Sequence, residues 1–192
     1  MGFVSVLSFA HQLLAQRVQP GDTVIDATLG NGVDVLALAK LTGRTGSVHG
    51  FDIQQTALEQ TALRLAKELP DAASFVQLHL ISHAEMEAAV PEPLHGRIAA
   101  VTFNLGYLPG ADTATITTPA STLPALEAAL RLVRKGGLVT IVLYVGHPGG
   151  AEEAAAVEQW AAVLPASNFQ VLRYQFANKP QAPYMLAIEK MV

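Results

Sequence analysis

The chain has 192 residues, of which 51% are hydrophobic and only 15% are charged, so it can bury a sizeable core and is not disordered. That length suits a single domain over residues 1–192. Cysteine is absent, which excludes disulfides, thiolate metal ligands and cysteine nucleophiles and fits a reducing compartment such as the cytoplasm. The formal net charge of −4 argues against a surface that coats nucleic acid but leaves room for a local basic patch, for which Arg131, Arg134 and Lys135 are candidates. No apolar run is long enough for a membrane span, and we predict no metal site.

Short apolar runs alternate with helical patterns along the chain. The apolar start, residues 3–14, lacks a basic leading segment and contains His11, so we interpret it as a helix and not as a signal peptide. Strands are predicted at residues 23–27, 47–51, 74–80, 98–103, 138–145, 169–176 and 184–188. Further helices are predicted at residues 33–41, 56–69, 84–90, 122–133 and 152–164. The run Lys135-Gly136-Gly137 is expected to end the helix at 122–133.

Repeated strand–helix units imply a parallel sheet with right-handed crossovers. Only seven residues separate the last two predicted strands, too few for a helical crossover, so this pair should be antiparallel. The predicted fold is therefore α/β with three layers, built on a seven-stranded, mostly parallel sheet whose last strand is antiparallel. Residues 106–119, rich in Thr, Ala and Gly, are predicted to form a long loop, which is typical of a functional or mobile segment, and whether it closes as a lid stays open.

A glycine-containing turn, Asp26 to Gly32, follows the first predicted strand, where open α/β sheets bind ligands. Asp52 ends the second strand, 20 residues after Gly32, and a carboxylate there can accept both hydroxyls of a ribose or, alternatively, cap the next helix. A dinucleotide-binding turn requires a third glycine, and Val35 stands in its place, which disfavours an NAD-dependent dehydrogenase. Asp26 suits a cofactor with a cationic amino-acid end, because its carboxylate can order the loop around an ammonium group.

Asp26 to Gly32 resembles motif I of class I S-adenosylmethionine-dependent methyltransferases, with Thr28 in place of the first glycine. Taken with VIDATLGNGVDVLALA, FNLGYLPG, TITTP, LYVGHPGG and NKPQAPYMLAIEK, it resembles the family of putative rRNA methylases over nearly the whole chain. The resemblance implies the Rossmann-like class I methyltransferase fold and S-adenosylmethionine as cofactor. It also implies an RNA substrate, most directly the aminomethyl nitrogen of 5-aminomethyl-(2-thio)uridine at the wobble position of the tRNA anticodon stem-loop, and makes a homodimer plausible.

The resemblance further implies which residues bind the cofactor. The turn residues would surround its methionine part, with Asp26 behind them, and Asp52 would hold the ribose with Gln54 beside it. Ser82 and His83 would flank the adenine, unless His83 belongs to a surface helix cap. The implied set is Asp26, Thr28, Gly30, Asn31, Gly32, Asp34, Asp52, Gln54, Ser82, His83 and Asn104.

The candidate catalytic residues follow the fourth and fifth strands. Asn104-Leu105-Gly106-Tyr107 resembles the Asn-Pro-Pro-Tyr motif of amino-group methyltransferases, in which the amide oxygen accepts a hydrogen bond from the target nitrogen and the ring stacks on the base. Both prolines are missing here, and an Asn in a turn beside a packed Tyr is the alternative. Tyr144 and His147 open on the same edge, where His147 could bind substrate, remove a proton from an ammonium group, or serve the structure alone. Lys179 could meet a phosphate or lie at a solvated hairpin tip.

Two other functions stay open from the residues. Methylation of a small-molecule amine is favoured by the acidic composition. A module that binds S-adenosylmethionine without turning it over is the non-enzymatic alternative, and the intact acidic and glycine residues argue against it.

Overall fold

The computed structural model describes residues 2–106 and 116–192, which form a seven-stranded sheet with helices on both faces. The strands are β1 (Thr23–Asp26), β2 (Ser47–Asp52), β3 (Val76–Leu80), β4 (Ile98–Leu105), β5 (Val133–Leu143), β6 (Phe169–Tyr174) and β7 (Tyr184–Lys190). The helices are α1 (Val6–Arg17), α2 (Val33–Thr42), α3 (Gln55–Glu68), α4 (Met86–Ala89), α5 (Pro119–Leu132) and α6 (Gly150–Ala162). Short 3₁₀ turns lie at Pro70–Ser74, His83–Glu85 and Glu92–Leu94.

The strand order across the sheet is β3-β2-β1-β4-β5-β7-β6. Neighbours from β3 to β5 are parallel, whereas β7 is antiparallel to both β5 and β6, which confirms the predicted antiparallel last strand. The chain reverses its direction of winding between β1 and β4. In open α/β sheets, a crevice for ligands forms at such a point, outside the carboxyl ends of the strands.

Apolar side chains on both faces of the sheet hold the layers together. In β1, Val24 and Ile25 are fully buried and point to opposite sides, into two separate apolar clusters. The cluster that contains Ile25 packs under α4, α5 and α6, and the one that contains Val24 packs under α1, α2 and α3. Burying one such side chain contributes about 1.5–3 kcal/mol, so the ends of β1 are held on a rigid platform.

The junction between α5 and β5 differs from the predicted one. Helix α5 begins at Pro119, whose ring suits the first helical position, and ends at Leu132, after which β5 starts directly at Val133. Gly136 has φ of 72° and lies with Gly137 inside β5, where the register with β4 shifts. The prediction that these glycines end the helix is therefore wrong, because they form a bulge in the strand instead.

The two ends of the long predicted loop are tied together by a hydrogen bond. The Thr117 amide donates to the Gly106 carbonyl at 2.9 Å. The residues between these ends, 107–115, lie outside the described residues. Within residues 2–106 and 116–192, none of the helices has the length and apolar character needed to cross a membrane.

Candidate active site

A cavity of about 350 Å³ opens at the carboxyl ends of β1, β2 and β4. This volume lies within the range of about 300–1,000 Å³ that is typical of small-molecule sites. The predicted residues that line it are Thr28, Gly30, Asn31, Asp34, Asp52, Gln54, Ser82, His83, Asn104 and Tyr144. Asp26, Gly32 and His147 lie outside this lining, and Tyr107 lies outside the described residues.

The turn between β1 and α2 requires glycine at two positions. Gly30 and Gly32 have φ of 51° and 74°, in the left-handed region that side chains with a Cβ disfavour. A Cβ on Gly32 would also come within 2.9 Å of the Thr61 hydroxyl on α3. The carbonyl of Asn31 accepts a hydrogen bond from Arg64 Nε at 2.7 Å. Helix α3 therefore packs directly on the turn and fixes its path.

Thr28 and Asp26 join this turn to the neighbouring strand. The Thr28 hydroxyl accepts a hydrogen bond from the backbone N–H of Asn104 at 2.7 Å. A glycine at position 28 has no hydroxyl and could not accept it. Asp26 is fully buried, its Oδ1 accepts from the Thr28 amide at 3.2 Å, and its Oδ2 has no hydrogen-bond partner among the described residues. Burial, and secondly the charge of Asp34, raise the pKa of Asp26 well above its usual range.

Asp52 presents its carboxylate at the cavity wall, held by two backbone donors. Its Oδ2 accepts from the Gly30 amide at 3.1 Å, and its Oδ1 accepts from the Gln54 amide at 3.0 Å. The helix α3 is capped at Gln54 without a side-chain hydrogen bond, so the alternative role of Asp52 as its cap is wrong. Each carboxylate oxygen keeps acceptor capacity for a ligand. Ile53, an apolar residue that is 58% exposed, lies beside it in the cavity wall and was not predicted.

His83 is buried in the cavity wall and carries a specific tautomer. Its Nδ1 donates to the Ala27 carbonyl at 3.2 Å, because a carbonyl can only accept. Its Nε2 is then an acceptor, and it has no partner among the described residues. Burial lowers the pKa of His83, which favours the neutral ring. The Ser82 hydroxyl caps the following 3₁₀ turn by accepting from the Ala84 amide, so the alternative of His83 as a surface cap is wrong.

Asn104 and Tyr144 form the wall between β4 and β5. Asn104 lies within β4 and not in a turn, its Nδ2 donates to Asp34 Oδ2 at 2.5 Å, and its Oδ1 is buried without a partner among the described residues. The Tyr144 amide donates to the Leu105 carbonyl at 3.1 Å. Burial, and secondly the charge of Asp34, raise the pKa of the Tyr144 phenol. The wall thus offers a neutral phenol and an amide oxygen.

His147 and Lys179 lie beside the cavity and not in its lining. His147 is half-buried, and its Nδ1 lies 2.9 Å from the Pro148 carbonyl oxygen. Its Nε2 lies 3.5 Å from the position that a Cβ would occupy on Gly106, and Gly106 lines the cavity. Lys179 is exposed, with its ammonium group 5.4 Å from the centre of the Phe176 ring.

The candidate basic patch is placed away from the cavity. Arg131 contacts Glu87 with two of its nitrogens, and Arg134 pairs with Asp22 at 2.7 Å. Arg134 lies near the start of β5, at the opposite edge of the sheet from the cavity. Two of the three charges of this candidate patch are therefore already paired with carboxylates.

Comparison with known proteins assigns this chain to a family. The model of the family described as Putative rRNA methylase matches residues 48–190. A tRNA (mnm(5)s(2)U34)-methyltransferase, chloroplastic, from Arabidopsis thaliana is 42% identical over 187 residues, which cover 94% of this chain and 68% of that protein.

Solved structures agree with this assignment. A putative rRNA methylase from Clostridium thermocellum superposes with a TM-score of 0.93 and is 36% identical, with full coverage of both chains. A putative methyltransferase from Streptococcus mutans, solved in complex with SAH, has a TM-score of 0.87 and is 35% identical over 99% of this chain and 100% of its own. The predicted class I methyltransferase fold is thereby confirmed, and the chain belongs to the putative rRNA methylase family.

Proposed function

We propose that this chain transfers a methyl group from S-adenosylmethionine to the aminomethyl nitrogen of 5-aminomethyl-(2-thio)uridine at the wobble position of tRNA. The observation that carries the substrate is the 42% identity with the Arabidopsis tRNA methyltransferase, which extends over 94% of this chain. The relative solved with SAH, the demethylated form of the cofactor, supports the cofactor. The cavity at the strand ends offers the groups that such a ligand needs.

The cavity fits an adenosyl ligand at three points. Asp52 has two oxygens that can each accept a ribose hydroxyl while they hold the turn and α3 through backbone contacts. The Nε2 of the neutral His83, to which none of the residues in the described ranges donates, can accept from an exocyclic amino group of a base. Ile53 offers an apolar face to a flat ring. Gly30 and Asn31 line the cavity where the amino-acid end would lie, and buried Asp26 orders the turn behind them.

Methyl transfer depends on how the residues at the ends of β4 and β5 hold the amine of the substrate. When bound, S-adenosylmethionine supplies an electrophilic methyl group on a sulfonium. Asn104 Oδ1, which has no partner among the described residues, can accept an N–H of the substrate and so aim the nitrogen lone pair at a near-attack distance of about 3–3.5 Å. The amine must be neutral to attack, so activity should rise with pH. His147, next to the cavity, can bind the substrate or take up the ammonium proton, and Tyr107 is the candidate for stacking on the base.

The decisive experiment incubates aminomethyl-stage tRNA with labelled S-adenosylmethionine and locates the methyl group by nucleoside mass spectrometry. We expect the label on the wobble uridine, and no transfer in matched tRNA that lacks the aminomethyl group. Activity should fall steeply with salt, because phosphate contacts release counterions. Transfer to small amines with a weak salt dependence would replace the tRNA assignment. Binding of the cofactor without transfer to any substrate would identify a binding module instead.

We infer three further properties of this chain, namely its oligomeric state, its compartment and its domain organisation. A homodimer would give an acidic chain two surfaces from which to assemble a groove for RNA, and sedimentation across a range of concentrations tests it. The cytoplasm is the expected compartment because the chain has no cysteine, and imaging of the tagged chain tests this. One domain, residues 1–192, would then carry the whole reaction.

A further inference from the structure

We propose that His11, which lies on α1 outside the cavity, is a positioning residue that orients the Asn104 amide through Asp34. The proposal rests on the proposed methyl transfer to an amine for its functional consequence. The hydrogen-bond chain itself belongs to the folded protein and can be measured without substrate.

The three residues form a continuous chain from α1 through α2 to β4. His11 Nε2 lies 2.6 Å from Asp34 Oδ1, and Asp34 Oδ2 lies 2.5 Å from Asn104 Nδ2. The His11 side chain is 33% exposed and that of Asp34 is 11% exposed. Asp34 and Asn104 line the cavity, whereas His11 does not. Asp34 and Asn104 therefore form a direct hydrogen-bonded connection from His11 to the cavity.

The chemistry of the three groups allows one orientation of the amide. A carboxylate accepts hydrogen bonds, so it takes one from the imidazole N–H of His11 and one from the NH₂ of Asn104. Turning the Asn104 amide over would set its oxygen against a carboxylate oxygen, with no proton between them. The amide is consequently held with Oδ1 directed away from Asp34, buried and without a partner among the described residues. That leaves the acceptor ready for an N–H of the incoming amine.

Among the described residues that interact with Asp34, His11 is the one that can carry a positive charge. The hydrogen bond to Asp34 raises the pKa of His11 against the opposing effect of burial. Asp26 and the Tyr144 phenol also interact with Asp34, and neither can become positive. Asp34 lies in the first turn of α2, where acidic side chains stabilise a helix. Asp34 is thus fixed from one side by α1, which frees its other oxygen to hold Asn104.

Docking of α1 does not depend on His11. Arg17 pairs with Glu189 at 3.0 Å, and the Tyr174 hydroxyl donates to the Val4 carbonyl at 2.8 Å. Buried side chains on α1, such as Leu14, fix it to the sheet. Removing the imidazole should therefore change the orientation of Asp34 and leave the fold in place.

The test compares His11→Leu, His11→Gln and the control His95→Leu. His95 is a second part-buried histidine, hydrogen-bonded to the Val90 carbonyl at 3.0 Å and outside the cavity lining. His11→Leu should lower kcat by about tenfold or more, with KM for S-adenosylmethionine within about threefold and the thermal midpoint near that of the wild type. His11→Gln should recover most of kcat, because its amide NH₂ can donate to Asp34. His95→Leu should leave kcat unchanged.

The side-chain amide of Asn104, observed by ¹⁵N–¹H spectroscopy, supplies a readout that needs no substrate. The signal is assigned by its loss in Asn104→Ala. We expect the proton donated to Asp34 to be shifted and slow to exchange in the wild type and in His11→Gln, and to lose both properties in His11→Leu. An unmoved amide signal in His11→Leu overturns the proposal whether or not tRNA is methylated. Unchanged kcat, or loss in His11→Gln equal to that in His11→Leu, overturns it as well. If no substrate is turned over at all, the amide signal alone decides.

Discussion

The His49–His79 pair should make the protein less stable as the pH falls below neutrality. His49 on β2 is 1% exposed, and its Nδ1 shares one hydrogen bond with His79 Nε2 at 3.2 Å. The His79 ring in turn stacks on Phe51 at 4.5 Å. Burial, and secondly the neighbouring His79, lower the pKa of His49 from 6.5 to about 4. The pair lies on β2, which ends at Asp52, and on β3, which precedes Ser82 in the chain.

The size of the effect follows from the difference between the folded and unfolded pKa of His49. As the pH falls through 6.5, the unfolded chain takes up a proton that the folded chain refuses, so the free energy of unfolding decreases until the pH reaches about 4. At about 1.4 kcal/mol per pH unit, the full loss is about 3 kcal/mol. About 2 kcal/mol of it should have been lost by pH 5. Above pH 7 the contribution is constant.

Urea unfolding at pH 7.5, 6 and 5 measures this loss, with His49→Gln as the comparison. The glutamine cannot become charged, so it should cause a constant offset together with a flatter dependence on pH. The comparison is needed because other groups titrate in the opposite sense. The pKa of His11 is raised in the folded state, so His11 stabilises the fold at low pH and this contribution is lost as the pH rises. The pKa of Asp26 is also raised, so it too makes the folded state more stable as the pH falls. If the difference between wild type and His49→Gln is the same at all three pH values, the reasoning is refuted.

Three further substitutions test the site. In urea unfolding, Gly32→Ala should lower the free energy of unfolding by about 1–2 kcal/mol because of the positive φ, and by more because its Cβ would contact Thr61. The control Gly96→Ala is also at positive φ but has open space around it, so it should lose only the contribution of the positive φ. Asp52→Ala should weaken binding of S-adenosylmethionine by at least about tenfold in calorimetry, and an unchanged Kd would contradict its ribose role. Glu153→Gln should cost about 1–3 kcal/mol in thermal unfolding, because the buried carboxylate accepts from two threonine hydroxyls at 2.6 Å and an amide can accept on one side only. An unshifted midpoint would argue against this.

Residues at the ends of strands could be predicted because the sheet topology brings them together. Asp52 and Asn104 are 52 positions apart, yet each lies in the last two residues of a parallel strand, and parallel strands place their carboxyl ends on one edge. The glycines of the turn were predictable for a local reason, since a sharp turn from strand to helix needs a positive φ. The antiparallel β7 followed from the length of the connection alone.

Other features depend on long-range packing that no spacing in the sequence reveals. The glycines at 136 and 137 follow a helix, where glycine commonly ends helices, but pairing with β4 draws them into β5 as a bulge. His11 reaches Asp34 only because α1 packs on the same face of the sheet as α2. Ile53 carries no signal in the sequence, because its exposure and its place in the cavity wall are properties of the fold.

The two sides of the cavity are held by different kinds of contact, and this division separates binding from turnover. On the β2 side, Asp52 is fixed by backbone amides, so its position follows from the path of the chain and tolerates changes in neighbouring side chains. On the β4 side, Asn104 is fixed by a carboxylate that is itself fixed by His11, so its orientation depends on side chains alone. A change in Asp52 should therefore act on cofactor affinity, whereas a change in His11 should act on the aim of the acceptor after the cofactor has bound. The Thr28 hydroxyl joins the two sides through the Asn104 backbone and leaves the amide free to turn, which is why the orientation needs a second support.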